Sequence, residues 1–235
     1  MIGANYFLGD ALKRRALLVF AVTAAVLAGC AEAPPVSDQV QSYYDSHKSL
    51  QAASPAIKTL AFAAYGDSIT NGNSPDFAAG KFGSLSWASY LGDGFTFAGG
   101  WAQGGVKSET MLQHATPIKA DVLVLLAGAN DYANSVPFDQ TTANLDGIVA
   151  KTGVARVVLS AVPPRDATPD AATVFNQKLE QLATARKWQF IDPMAGVRNG
   201  DRYAPGMTAD GVHPTEAAAK IIGQSLSAAI KGAHP

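Results

Sequence analysis

A chain of 235 residues that is 48% hydrophobic and 16% charged is long enough for one domain with a sizeable core, and too apolar to be disordered. Its formal net charge of −1 gives no electrostatic ground for a nucleic acid or an acidic surface as partner. No internal repeat or long low-complexity tract interrupts it.

The first element is a leader. Lys13, Arg14 and Arg15 precede the uncharged run ALLVFAVTAAVL, which leads into Ala28-Gly29-Cys30. A basic flank, an apolar run too short for a membrane span and small residues at its end mark a secretory signal over residues 1–29. LAGC resembles a bacterial lipobox, whose cysteine becomes the lipidated first residue of the mature chain. On that resemblance Cys30 is the lipidation site, and the membrane is a partner through the anchor. The competing reading is a small buried thiol in an uncleaved anchor. Cys30 is the single cysteine, so no intrachain disulfide is expected. Residues 30–57 read as a tether, AEAPPVSDQ, followed by a short helix over VQSYYDSHKSLQAA.

From residue 58 strands and helices alternate. TLAFAAY (59–65) reads as a first strand, SLSWASYLG (84–92) has helical spacing at Leu85, Ala88 and Leu91, and FTFAGG (95–100) is a short second strand. ADVLVLLAG (120–128) is a continuous apolar run, as in a parallel strand buried on both faces. TTANLDGIVAKTG (141–153) reads as a helix capped by Thr141 or Thr142 and stopped by Gly153. ARVVLSAVPP (155–164) is a fourth strand. Residues 168–187 form a long amphipathic helix with Val174, Leu179 and Leu182 on one side, and WQFIDP (188–193) is a fifth strand. HPTEAAAKIIGQSLSAAI (213–230) is a last helix with Pro214 near its first turn. This order implies a parallel sheet covered on both faces, with right-handed crossovers. The site is then expected beyond the carboxyl ends of the strands.

Those ends carry small residues and polar side chains: Gly66-Asp67-Ser68, Gln103-Gly104-Gly105, Gly128-Ala129-Asn130-Asp131, and a loop reaching Asp210-Gly211-Val212-His213-Pro214. Together they supply a hydroxyl, an imidazole, a carboxylate, an amide and a glycine turn, the set that acyl transfer needs. Each also has a plainer reading. Ser68 fits a helix cap; Asp210, Asn130 and Asp131 fit turns; the glycines fit backbone conformation alone. Asp210 and His213 lack a third ligand for a metal, and no phosphate loop, dinucleotide fingerprint or GxSxG elbow is found. His47, His114 and His234 read as solvated or structural, and Trp87, Trp101 and Trp188 as core.

GDSIT (66–70), the glycine pair 104–105, GAND (128–131) and DGVHP (210–214), in that order over most of 60–230, resemble the blocks of the SGNH hydrolases, also called the GDSL esterase/lipase family. The resemblance implies an α/β fold in three α/β/α layers, with a flavodoxin-like parallel five-stranded sheet of order 2-1-3-4-5, over a hydrolase domain spanning 58–235. It implies Ser68 as nucleophile, His213 as base and Asp210 as the acid that orients it. The oxyanion donors would be the backbone N–H groups of Ser68 and Gly105 and the side-chain amide of Asn130. The glycine block lacks the upstream asparagine often found in the family, and spacing to Ser108 favours Gly105. Asp67, Gly104, Asp131 and Arg202 are candidate substrate contacts.

A serine ester hydrolase without cofactor or metal is the implied activity, acting as a monomer on a small-molecule or glycan ester. The same residues would serve an acyltransferase, and a non-catalytic lipoprotein holding a surface polymer is the reading from another class. The loops 71–84 and 195–208 are polar and glycine-rich, which suits an open rim and short acyl groups. Phe77, Phe82 and Tyr203 would either wall that rim or pin the loops, with Arg198 and Arg202 meeting a polar leaving group.

Overall fold

The computed structural model describes residues 59–232 and the isolated Ser42. The expected signal, Cys30, the tether, its helix, His47 and His234 lie outside the described residues. The chain divides between Ala56 and Ile57, and the unit Ile57–Pro235 carries every element below.

Five strands arise from the apolar runs: β1 (Leu60–Gly66), β2 (Phe95–Ala102), β3 (Val122–Leu126), β4 (Val157–Ser160) and β5 (Gln189–Ile191). All pair in parallel in the order 2-1-3-4-5. Alternate residues face opposite sides of a sheet, and β3 shows why its run has no polar member. Val122, Val124 and Leu126 enter one core while Leu123 and Leu125 enter the other.

The helices cover both faces: α1 (Ser68–Asn71), α2 (Ser108–His114), α3 (Ala129–Ala133), α4 (Phe138–Thr152), α5 (Pro169–Arg186) and α6 (Glu216–Gly232). One face packs Ile222, Leu226 and Ile230 of α6 with Trp87 and a cluster of phenylalanines. The other packs Met111, Leu145, Ile148, Phe175 and Leu179 from α2, α4 and α5. Among the described residues no helix is long and apolar enough to cross a membrane.

β1 and β2 are out of step by one residue. Phe62 pairs with Phe97 but Ala63 pairs with Gly99, so Ala98 bulges. Gly100 makes this close approach feasible: its φ is +140°, and a Cβ there would lie 2.0 Å from the Ala64 carbonyl oxygen. Bulges of this kind bend a strand and re-aim the residues beyond it; here those residues are Gly104 and Gly105.

Several expectations are corrected. The segment at 84–92 is only a short 3₁₀ helix, Trp87–Tyr90, between Gly83 and Gly92. α4 begins earlier than Thr141: Pro137 sets its entry, and Thr141 lies inside, buried, donating to Asp131. On α5 the buried stripe runs through Phe175, and Val174 is 50% exposed. α6 starts at Glu216, because Thr215 accepts the Ala218 and Ala219 N–H groups through its hydroxyl and carbonyl oxygens. An unforeseen antiparallel ribbon, β6 (Arg198–Asn199) with β7 (Arg202–Tyr203), turns at Gly200, φ +61°. Phe77 and Tyr203 are buried and Phe82 packs against Phe77 at 5.0 Å, so these rings pin their loops and form no rim. Trp87 is core, as expected; Trp101 stacks on His114 at 4.0 Å.

Candidate active site

The apolar strand β1 ends at Gly66, and the next two residues start a helix. The N-cap is Asp67, not Ser68: its Oδ1 accepts the Ile69 N–H at 3.0 Å. Ser68 is thereby left as the first helical residue, its N–H one of those with no intrahelical acceptor. Asn71 ties α1 to the end of β2 by donating to the Ala102 carbonyl at 3.1 Å.

His213 arrives from a chain position 145 residues away. Its Nε2 lies 3.0 Å from Ser68 Oγ, and its Nδ1 lies 2.7 Å from Asp210 Oδ2. The carboxylate on Nδ1 fixes the tautomer, which leaves Nε2 as the acceptor for the Ser68 hydroxyl. Asp210 also organises its own loop, its Oδ1 accepting the N–H of Val212 at 2.9 Å and of His213 at 2.7 Å. Partial burial alone would raise its pKa, but the bonds from the His213 ring and backbone, and from Val212, outweigh that and hold the carboxyl well below the usual range. Both side chains are about half exposed, at 54% for Asp210 and 47% for His213, so water reaches the pair.

The donor side is built by a second set of strand ends. Gly105, φ +76°, turns the chain after β2 with its backbone exposed. Asn130 lies on α3 just past β3, and its amide donates one hydrogen to the Val106 carbonyl at 2.9 Å; an amide has a second to give. Asp131 holds these two donors in register. It is fully buried, and its carboxylate accepts the Ser108 N–H at 3.0 Å, the Ser108 hydroxyl and the Thr141 hydroxyl. Asn144 adds a bond to Ser108 Oγ at 2.9 Å. Asp131 is therefore not a substrate contact: its lone pairs are spent joining the Gly105 loop to the helix of Asn130.

Asp67 is fully buried as well and borders a cavity beside Ser68. Its Oδ2 has no hydrogen-bond partner among the described residues. Burial pushes its pKa up to about 7; Asp131 adds to the rise, while the Ile69 N–H and His213 oppose it.

Two cavities flank the serine, and both touch Ser68, Gly104 and His213. The larger, about 510 Å³, is bordered by Asn71, Leu85, Asp210 and Thr215. The smaller, about 340 Å³, is bordered by Gly105, Asn130, Tyr132, Pro163, Pro164 and Arg165. Gly104 keeps its place as a candidate contact. Arg202 does not, since it donates to the Asp166 carbonyl, and Arg198 is held bidentately by Asp192 at 2.8 and 2.6 Å. Both lie outside the two cavities; Arg198 borders a third, of about 220 Å³, that holds none of the Ser68–His213–Asp210 set. Arg165 and Tyr132 were not foreseen. The only cue in the sequence is the strand-ending Pro163-Pro164 just before Arg165.

A hydroxyl bonded to an imidazole, the imidazole bonded to a carboxylate, and backbone and amide N–H groups beside them can carry nucleophilic acyl transfer. Among the described residues no three His, Cys, Asp or Glu side chains gather to hold a metal ion.

The sequence model described as the GDSL-like Lipase/Acylhydrolase family matches residues 64–221. No curated protein matches the chain by sequence. Solved structures similar in fold include a GDSL-like lipase from Bacteroides thetaiotaomicron, 22% identical over 81% of this chain and 98% of that one, with a TM-score of 0.57. A lipolytic protein of the G-D-S-L family from Desulfitobacterium hafniense is 16% identical over 73% and 99%, TM-score 0.59. A catalytic mutant of an acetylxylan esterase from Geobacillus stearothermophilus is 17% identical over 73% and 94%, TM-score 0.55. At such identities the likeness is one of fold.

Proposed function

The chain belongs to the GDSL-like lipase/acylhydrolase family and is a carboxylic ester hydrolase, and from that premise we propose that it cleaves short-acyl esters through a Ser68–His213–Asp210 triad. The observation that carries the reading is the unbroken chain of contacts, 3.0 Å from Ser68 Oγ to His213 Nε2 and 2.7 Å from Nδ1 to Asp210.

In this mechanism His213 Nε2 takes the Ser68 proton as Oγ attacks the ester carbonyl. Asp210 steadies the imidazolium that forms. The tetrahedral oxyanion is met by the N–H groups of Ser68 and Gly105 and by the free hydrogen of the Asn130 amide. His213 then hands its proton to the leaving alcohol, and the acyl group stays on Ser68. Water attacks the acyl carbon as it gives a proton to His213, the bond to Ser68 Oγ breaks to release the acid, and His213 returns the proton to Oγ. Pre-organisation by Asp131 matters here, because donors fixed before the reaction cost no reorganisation during it.

Two features support a small acyl group. The loop 71–84, which borders the larger cavity at Asn71, Gly72 and Asn73, is polar and glycine-rich, and neither cavity at Ser68 exceeds about 510 Å³. An acyl chain needs apolar cover worth about 0.8 kcal/mol per CH₂, and Leu85 in the larger cavity with Ile69, Tyr132 and Val212 in the smaller supplies it for a short chain. The acetylated substrate named for the Geobacillus esterase makes an O-acetyl glycan one natural candidate. Attachment to the cell envelope through Cys30 belongs to the same proposal, on the strength of LAGC.

The test pairs a serine-directed fluorophosphonate with nitrophenyl esters from acetate to palmitate. Wild type should be labelled, and its kcat/KM should peak between acetyl and butyryl. Ser68→Ala should lose the label and nearly all turnover. Labelling at another serine would remove Ser68 from the mechanism, and a rise in kcat/KM beyond octanoate would replace the short-acyl reading with a lipid one.

A further inference from the structure

The structure describes five arginines, and four are occupied. Arg156 donates to the Ile230 carbonyl at 2.6 Å and to Gln189; Arg186 and Arg198 are bidentate on Asp146 and Asp192; Arg202 donates to the Asp166 carbonyl. The guanidinium of Arg165 alone makes no hydrogen bond or ion pair among the described residues, and it is half-buried against the cavity that holds Ser68, Asn130 and His213. A guanidinium with five donors and a permanent charge in that position is a recognition group waiting for an acceptor.

Its backbone is fixed in advance. Pro163 and Pro164 lock φ at the two preceding positions. The Arg165 carbonyl accepts the Thr168 N–H at 2.8 Å. Asp166 then fastens the segment to the triad loop, its N–H donating to the Gly211 carbonyl at 2.9 Å and its Oδ1 accepting the Tyr203 N–H at 2.9 Å. Tyr132 borders the same cavity with a hydroxyl that makes no hydrogen bond among the described residues. A guanidinium and a phenol bordering one cavity offer donors for the two oxygens of a carboxylate. The acidic side chains beside the site are engaged elsewhere: Asp67 is fully buried with its Oδ1 on the Ile69 N–H, Asp131 is spent on Ser108 and Thr141, and Asp210 is spent on His213.

Resting on the ester-hydrolase reading of the same site, we propose that Arg165, with Tyr132, selects esters that carry a carboxylate close to the scissile bond. Uronic acid sugars bearing acetyl groups would present it on the alcohol side, and half-esters of dicarboxylic acids on the acyl side.

Matched substrates test this. The alcohol-side arm compares meta-acetoxybenzoate with meta-acetoxybenzamide, and the acyl-side arm compares nitrophenyl hemisuccinate with nitrophenyl butyrate. In one arm the wild-type kcat/KM ratio, anionic over neutral, should be about tenfold, the worth of a partly exposed charge-assisted bond. Added salt should narrow it. In Arg165→Gln that ratio should fall to about one, chiefly through KM. The arm that responds identifies which side bears the carboxylate. A ratio that is unchanged between wild type and Arg165→Gln in both arms overturns the proposal. Failure of the triad reading looks different: wild type would then neither turn over the neutral esters nor take the phosphonate label.

Discussion

Replacing Asp67 by asparagine should change the pH dependence of stability in a calculable way. The side chain is fully buried, one oxygen caps Ile69 and the other is unpartnered. Burial places its pKa at about 7, against about 3.9 for an unfolded aspartate. Between those values the folded chain holds a proton that the unfolded chain has released. Stability of the wild type therefore falls as pH rises through this window, by about 1.4 kcal/mol per pH unit at full slope. Allowing for partial titration near pH 7, the loss between pH 5 and pH 7 is about 2 kcal/mol. Asparagine keeps the acceptor for Ile69 but puts an unpaired NH₂ where Oδ2 lies, a cost of about 1–3 kcal/mol that does not vary with pH. Urea unfolding of both proteins at pH 5, 6, 7 and 8 gives the difference directly. Asp67→Asn should gain about 2 kcal/mol on wild type from pH 5 to pH 7, then level off. A difference that is flat across the series would mean that Asp67 titrates at its ordinary value, and the account of its burial would be wrong.

Asn130→Ala should lower kcat by roughly 10²–10³, about 2.7–4 kcal/mol, with a smaller change in KM, because the free amide hydrogen acts on the transition state; steady-state kinetics on nitrophenyl acetate decide it, and a change confined to KM would make Asn130 a substrate-binding residue. Gly66→Ala should destabilise the fold by about 1–3 kcal/mol or more, since its Cβ would lie 2.1 Å from Thr70 Oγ1 and 2.8 Å from the Leu126 carbonyl oxygen; a thermal melt reads the shift, and an unchanged midpoint would show that the turn gives way freely.

What the sequence disclosed depended on how local the cause was. β1, β3 and β4 were legible because strands buried on both faces need uninterrupted apolar runs, and the strand order came with the four motif blocks. Ser68, Asn130, Asp210 and His213 were legible because each sits within two residues of a glycine in a recognisable block. Asp131 was misread, because its role lies in Ser108 and Thr141, brought to it by two other elements. Arg165 was invisible for a similar reason: only the meeting of its loop, through Asp166, with Gly211, 46 residues beyond Arg165, shows that it stands at the site. The ribbon at 198–203 was missed although Asn199-Gly200 is a turn signal, because two-residue strands carry no periodicity. Phe175 displaced Val174 because the angle at which α5 lies on the sheet decides which side of the stripe is covered.

The two halves of the site rest on different foundations. Ser68 extends from β1, which is hydrogen-bonded on both sides by β2 and β3. The Asp210–His213 loop belongs to no strand of that sheet. It hangs on single contacts, such as the Tyr203 hydroxyl on the Val212 carbonyl at 2.9 Å and the Thr208 hydroxyl on the His213 carbonyl at 2.8 Å. Breaking a few of these costs a fraction of the free energy needed to dismantle a central strand. Warming the protein should therefore disarm it before it melts: the His213 imidazole would leave an intact Ser68, turnover would fade while the sheet's spectrum is still native, and cooling would restore turnover without refolding.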